Sequence, residues 1–440
     1  MGQITAMSTT AQEPRQQPIS VVIIGMGGRA SIYATVALTN PELLCIVGVV
    51  DINPERVRQA QLMFDLPEEH CFASVEELVS VPKFADAAIN CTMDRLHVQT
   101  SLPLLRHGYD LLLEKPYALN DEEGQLIIDC ARETGRKVMV CHVLRYTPFY
   151  RSLRRVLALG TIGEVINIHM VNQVGYQHES ISFVRGKYAR EEICGSGMLL
   201  SKCSHDLDIM SWLMGDIEPA TISSVGSVLQ FKEEKAPEGA GTHCLNNCPL
   251  ERDCPYSARR LYIEHPMRWA NNVWHDTNCC PATDAEKEQI LRRPDNPFSR
   301  CVYRCNINIV DHQSVLIHFR NGSTGTFTMN GGASTPRRMI HITGTRGEVY
   351  GDFERERFHV RQIDPAAPGG YTERTLDMSD FQQGDAHGGG DRSIVLDFIA
   401  LLRGEPTSPG CPTLEASIVG HRMVFLAEKS RLAGGALQQF

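Results

Sequence analysis

Gly25-Met26-Gly27-Gly28-Arg29-Ala30 follows the apolar run ISVVIIG and opens a helical stretch. A glycine turn between a strand and a helix is suited to holding a dinucleotide. Gly25 allows the tight turn, Gly27 lets the backbone approach a pyrophosphate, and Ala30 is small enough for close helix–strand packing. Gly28 and Arg29 fall in the first helical turn, whose free N–H groups face phosphates. Asp51 ends the second apolar run. A carboxylate there accepts hydrogen bonds from both ribose hydroxyls and repels a 2′-phosphate, so NAD is expected over NADP. Arg56 and Arg58 follow closely and leave NADP open.

Ser201, His205 and Asp208 stand at i, i+4 and i+7, so they share one face of a helix. Lys202 and Asp206 are also four apart, a spacing that an ordinary surface ion pair explains equally well. A third grouping is made of sulfur. Of 15 cysteines, seven fall between Cys244 and Cys305, in the pattern Cys244-x3-Cys248-x5-Cys254, Cys279-Cys280, Cys301-x3-Cys305. Four thiolates could close a structural zinc site and fix a segment with little core of its own. The ligands would be Cys244, Cys248, Cys254 and one of Cys301 or Cys305. An iron–sulfur cluster, disulfides and free thiols are the alternatives. Cys45, Cys91 and Cys141 lie in apolar runs and read as small buried hydrophobes. That usage suits a reducing compartment, and a cytoplasmic location is expected.

Other classes are excluded. His387-Gly388-Gly389-Gly390 resembles an esterase oxyanion loop, but no Gly-x-Ser-x-Gly elbow occurs, so a serine hydrolase is rejected. A net charge of −9 draws the molecule neither to nucleic acid nor to an anionic membrane. No run of eighteen apolar residues is present to span a bilayer. The polar first residues lack a signal-peptide core and read as a disordered tail over 1–17.

The elements that must position these residues divide the chain in two. From 18 to 145, short apolar runs alternate with helical stretches, among them DEEGQLIIDCARETG with its acidic first turn. This predicts a doubly wound parallel sheet of the Rossmann type. KVMVCHVLR reads as its last strand. From 146 to 440 the pattern becomes alternating strands joined by turn pairs such as Asn321-Gly322. An α+β domain on a large, mainly antiparallel sheet is expected, with helices around Gly197–Gly215 and toward the C-terminus. Residues at about 232–305 read as a Cys-rich insertion.

Glu114-Lys115-Pro116 after a strand of the first domain, with Asn90-Cys91-Thr92 and His97 upstream, resembles the Gfo/Idh/MocA family, which includes glucose-fructose oxidoreductase and inositol dehydrogenase. Arg145-Tyr146 at the junction, Ile162-Gly163-Glu164-Val165, the helix GSGMLLSKCSHDLDIMSWLMG and the hairpin GTRGEVYGD extend the likeness over nearly the whole chain. The resemblance implies hydride transfer between a nicotinamide and a secondary hydroxyl of a sugar, glycoside or cyclitol. It implies a catalytic role for Lys115, and one for His205 as acid/base or substrate ligand. Thr92, His97 and Glu114 join the cofactor set. Arg145, Tyr146, His178, Arg185, Ser201 and Lys202 form the expected substrate set, with Asp311, His312, His387 and Asp391 as further polar candidates. The family commonly has aspartate where this chain has Ser201, which leaves the proton relay open. An NAD-recycling glycosidase or lyase and a non-enzymatic nucleotide-binding protein are the alternatives. The family also implies a homodimer or homotetramer.

Overall fold

A computed structural model describes residues 17–265, 269–277, 279, 281–379 and 387–440. The expected N-terminal tail, apart from Gln17, and Cys280 lie outside the described residues.

The first sheet contains β1 (Ile19–Ile24), β2 (Leu44–Val50), β3 (Cys71–Phe72), β4 (Ala87–Asn90), β5 (Asp110–Leu113) and β6 (Val138–Val140). Their order is β3-β2-β1-β4-β5-β6 and every pair is parallel. The strands read as unbroken apolar runs because helices cover both faces: Val21, Val22, Ile23 and Ile24 are all buried. The order reverses between β1 and β4, and ligands bind at such switch points, beyond the carboxyl ends of the strands.

The apolar run ending KVMVC stops pairing at Val140, and the chain turns at His142 into a 3-10 turn over Val143–Tyr146. The pattern of KVMVCHVLR predicts one long strand here. Instead His142, Arg145 and Tyr146 sit where the sheet ends.

The second sheet holds β7 (Val165–Gly175), β8 (Pro219–Ser227), β9 (His312–Phe319), β10 (Thr324–Ala333), β11 (Arg337–Gly344), β12 (Gly347–Asp352), β13 (Arg357–Ile363), β14 (Tyr371–Asp377) and β15 (Gln438–Gln439). The order is β14-β13-β12-β11-β7-β10-β9-β8-β15. β7 and β10 pair in parallel; the other pairs are antiparallel. β9 alternates buried and exposed residues, as a sheet covered on one face does. The helices Met198–Met214 and Leu414–Leu432 supply that cover.

The 198–214 helix is buried on nearly every side, so its polar residues lie inside the protein. The helix Gly390–Arg403 returns to the first sheet, where Ile394, Val395 and Phe398 share a core with Val21, Tyr33 and Val36. The C-terminal chain therefore ties the two sheets together.

The Cys-rich segment has more core than its composition suggested. Leu261, Tyr262, Val273, Leu291 and Phe298 pack around Ile181, and Phe231, Tyr256 and Val302 pack around Val184. These apolar residues come from short, dissimilar turns, so no periodicity announces them.

Candidate functional site

At the nucleotide end, Gly25 has φ +82° and its amide donates to Val50 O at 2.7 Å. A Cβ at Gly25 would lie 3.0 Å from Cys91 O, whereas a Cβ on Gly27 or Gly28 would meet nothing within 4 Å. The loop is closed toward the sheet and open above the helix N-terminus, which fits a pyrophosphate. Ala30 is fully buried. Asp51, at the end of β2, accepts from Met26 N and Asn53 N, both at 2.8 Å. Arg56 stands 4.0 Å from the same carboxylate. These residues fit a dinucleotide with the ribose beside Asp51.

Arg29 and Glu114 turn inward instead. The Arg29 guanidinium binds Glu114 at 2.8 Å and Asp391 at 2.7 Å. Glu114 also accepts from Tyr33 OH at 2.6 Å and Lys115 N at 3.0 Å. Both side chains are thus engaged by protein groups, and what Arg29 offers a phosphate is its helix-terminal backbone. His97 is buried with its ring nitrogens 2.6 Å from Pro116 O and 3.0 Å from Thr92 O. It braces the turn carrying Lys115. The Thr92 hydroxyl donates to Asn90 Oδ1 at 2.9 Å.

Lys115 follows β5 at the carboxyl edge of the first sheet. Its Nζ crosses to the 198–214 helix and donates to Ser201 O. The Ser201 hydroxyl donates to Gly197 O at 3.0 Å and serves its own helix. One turn on, His205 is buried, and its Nδ1 has no hydrogen-bond partner among the described residues. Burial, with the positive charge of Lys115 next in weight, holds its imidazole well below the ordinary histidine range.

Two histidines not singled out from the sequence stand behind it. The His142 ring is 6.1 Å from that of His205 and 5.2 Å from that of His421. Burial lowers both, His421 to about 3. The available signal was position: His142 is the first polar residue past a buried strand end. His387 completes the group, its ring 6.3 Å from that of His205.

Lys202 lies on the other flank of the helix, 5.9 Å from the Trp269 ring. Burial and the Arg338 guanidinium push its amine down to about 7. The surface ion pair with Asp206 is not formed: Asp206 is buried and accepts from Asn172 at 2.9 Å and Arg338 at 3.0 Å. His178 stacks on Trp269 at 3.7 Å. Glu179 is fully buried, and neither carboxyl oxygen has a hydrogen-bond partner among the described residues. Burial and then the Asp311 carboxylate push it up to about 8. The Asp311 carboxylate itself accepts from the amides of Leu229 and Gln230, and His312 Nδ1 lies 2.9 Å from it.

Three residues of the expected substrate set are held elsewhere. Arg145 is bidentate on Asp208 at 2.8 and 2.6 Å. Tyr146 OH donates to Asp397 at 2.6 Å. Arg185, buried, donates to Arg300 O, Tyr262 OH and Tyr256 O at 2.7–2.8 Å, and to Cys244 Sγ at 3.4 Å.

The zinc expectation finds no support among the described residues. Among the described residues no group of three or more His, Cys, Asp or Glu side chains is placed to hold a metal ion. Cys244, Cys248, Cys254 and Cys301 are free thiols. The segment is fixed by its own apolar clusters and by Arg185, whose guanidinium binds several of its turns at once. An Arg185→Met change leaves the Arg300 and Tyr256 carbonyls without their charged donor, at a cost of about 2–4 kcal/mol. Limited proteolysis within 232–305 should then speed up at least about tenfold while the first sheet stays resistant. An unchanged cleavage rate would show that Arg185 does not anchor the segment.

Comparison with known proteins gives two family matches. Residues 19–142 match the profile described as the GFO_IDH_MocA oxidoreductase family with an NAD-binding Rossmann fold, and residues 150–242 match the GFO/IDH/MocA C-terminal domain. An oxidoreductase by name, YteT of Bacillus subtilis, is 23% identical over 372 residues, 80% of this chain and 81% of its own. An inositol dehydrogenase homolog from Azotobacter vinelandii, solved with NAD+, superposes with a TM-score of 0.68 at 16% identity, covering 96% of this chain and 98% of that one. A levoglucosan dehydrogenase solved with NADH gives 0.67 at 18% identity, covering 96% and 99%. The structural likenesses extend the fold match across almost the full length.

Proposed function

Because the chain belongs to the Gfo/Idh/MocA family of NAD-binding oxidoreductases, we propose that it is a dehydrogenase acting on a secondary hydroxyl of a sugar, glycoside or cyclitol. The observation that carries this reading is Lys115. Its amine leaves the end of β5 and meets the helix bearing His205 across the junction of the two sheets. The nicotinamide cofactor, when bound, supplies the hydride acceptor.

The chain's own groups supply the rest. A cation beside the reacting oxygen stabilises the alkoxide that develops as the O–H bond weakens. The Lys115 ammonium is placed for that task, and Ser201 O fixes the direction of its Nζ. His205 is kept neutral by burial and by the neighbouring Lys115. A neutral imidazole can accept a hydrogen bond from the substrate or a proton from it. Lys202, with its amine at about 7, lies on the other flank of that helix and can exchange a proton near neutral pH. Purified protein with NAD+ and a panel of sugars, glycosides and cyclitols should form NADH with at least one of them. Glycoside cleavage without net NADH would select the recycled-cofactor alternative.

Asp51 supports NAD over NADP. An Asp51→Ser change removes the charge that repels a 2′-phosphate and frees Arg56, 4.0 Å away, to meet one. The NAD+ to NADP+ preference, measured as a ratio of kcat/KM values, should fall about tenfold or more, roughly 1.4 kcal/mol. A preference unchanged by the substitution would remove Asp51 from the ribose site.

A further inference from the structure

Behind His205 lies a second imidazole, delivered by the first sheet. His142 follows β6, is fully buried, and has no hydrogen-bond partner on either ring nitrogen among the described residues. Interior polar groups are ordinarily paired, and those left bare gather at sites that use them. The His142 ring meets that of His205 edge-on at 78°, with centroids 6.1 Å apart. The Nδ1 of His205 is likewise buried and unpartnered among the described residues. The Ser201 hydroxyl, one turn back, is no help to it, because it is turned to Gly197 O. On its other side His142 is backed by a carboxylate. Its Nδ1 lies 3.4 Å from Asp208 Oδ2, close but not aligned as a hydrogen bond, and Asp208 is held bidentate by Arg145.

These positions decide where the protons sit. A carboxylate at 3.4 Å favours the proton on His142 Nδ1, which leaves Nε2 as the acceptor. Two imidazoles contact the His142 ring, those of His205 and His421. His421 does not supply a donor, because its Nδ1 faces Ser417 O at 3.1 Å and so carries its proton there. The donor that remains between them is Nδ1–H of His205.

We infer that His142, backed by Asp208, is a positioning residue that fixes the tautomer of His205. This rests on the dehydrogenase reading above. Catalytic hydrogen bonds are commonly long before substrate binds and tighten in the complex. With Nδ1–H of His205 given to His142 Nε2, the bare nitrogen of His205 is Nε2, which is then the one able to take the hydroxyl proton. The O–H bond breaks and its proton forms a bond to Nε2. The electron pair left on oxygen closes the C=O bond as the carbon's hydrogen departs with its own pair to the nicotinamide already named as acceptor. The His205 imidazolium so formed is stabilised through His142 toward the Asp208 carboxylate. Without His142 the imidazole is free to carry its proton on Nε2, where it cannot accept another. Burial first, then the charges of Lys115 after β5 and Arg338 on β11, keep His205 neutral until the proton arrives.

The test uses variants of the full chain. His142→Phe keeps a ring and removes the accepting nitrogen. It should lower kcat about 30-fold or more, with KM and the Kd for NAD+ changed less than about threefold. His142→Gln returns an acceptor and should bring kcat back to within about threefold of the parent. The tautomer itself is read by histidine nitrogen NMR on the NAD+-loaded protein, with the His205 signals assigned by their loss in His205→Gln. No substrate is needed for this. The proton should sit on Nδ1 in the parent and in His142→Gln, and on Nε2 in His142→Phe. Should His142→Phe fail to fold, His142→Asn, too short to reach His205, carries the same expectations. More than half the parent kcat in His142→Phe, a His205 proton still on Nδ1 in it, or a His142→Gln no faster than it overturns the positioning role. Lys115→Ala separates the two levels. If it too retains full turnover, the dehydrogenase site itself is misplaced; if it is inactive beside an active His142→Phe, the positioning role alone fails.

Discussion

Lys115→Ala should lower kcat/KM by about three orders of magnitude and leave the Kd for NAD+ within about threefold of its original value. Removing a single preorganised donor from a reacting oxygen typically costs about 100- to 1,000-fold, and a charged donor that also directs a proton stands at the upper end. The loss should appear mainly in kcat, because the ammonium interacts more strongly with the alkoxide than with the neutral alcohol. Nucleotide binding should survive because the glycine turn is built without Lys115: Gly25 is held by Val50 O and Met26 N by Asp51. Lys115→Arg restores the charge but not the shape, and should recover little. Steady-state kinetics with NAD+ titrated by fluorescence separates the two quantities. A kcat within threefold of the parent would remove Lys115 from the chemistry.

The second large effect concerns stability. Arg145 and Asp208 are both buried and joined by two hydrogen bonds, with Arg145 also donating to Ala416 O at 2.9 Å. Arg145→Ala leaves the Asp208 carboxylate in the interior beside His142, whose ring nitrogen is 3.4 Å away and which burial keeps neutral. Breaking a buried pair at one end costs about 3–5 kcal/mol, because the remaining charge has lost its counterion and cannot regain water. In a chain this size the melting temperature should fall on the order of 10 °C. Arg145→Met combined with Asp208→Leu removes both charges and should regain most of that loss. Calorimetry on the single and double variants decides the matter. Equal destabilisation in both would mean that packing, not charge, is what Arg145 contributes.

The parts of this protein legible in its sequence are those set by local pattern. The turn from Gly25 to Ala30 was readable because strand, glycine and helix follow one another within a dozen residues. The helix Asp121–Thr134 carried its acidic first turn and a terminal glycine, Gly135, which takes the left-handed conformation. Ser201, His205 and Asp208 fell on one helix face by spacing alone, and the structure buries all three.

What could not be read is which partner each polar group finds. Arg29 meets Asp391 across 362 residues, and Lys115 meets Ser201 across 86. No periodicity encodes such pairs. Arg145 and Arg185 read as substrate-facing arginines because the buried acceptors that hold them lie far along the chain. The cysteine segment misled for a related reason. Its thiol clustering was visible, while the apolar residues that fix it were scattered among charged ones. His142 was hidden by an apolar run that continues past the last paired strand residue.

The central claim is that the Lys115–His205 junction oxidises a carbon bearing a hydroxyl. The most direct measurement takes a sugar or cyclitol that yields NADH and compares it with the same compound deuterated at the carbon oxidised. The rate of NADH formation should fall several-fold with the deuterated substrate in single-turnover experiments, the label should appear in the reduced cofactor, and Lys115→Ala should abolish both. Protein that binds NAD+ tightly, yet across the whole panel forms no NADH and leaves every C–H bond at the hydroxyl carbons intact, would contradict the account.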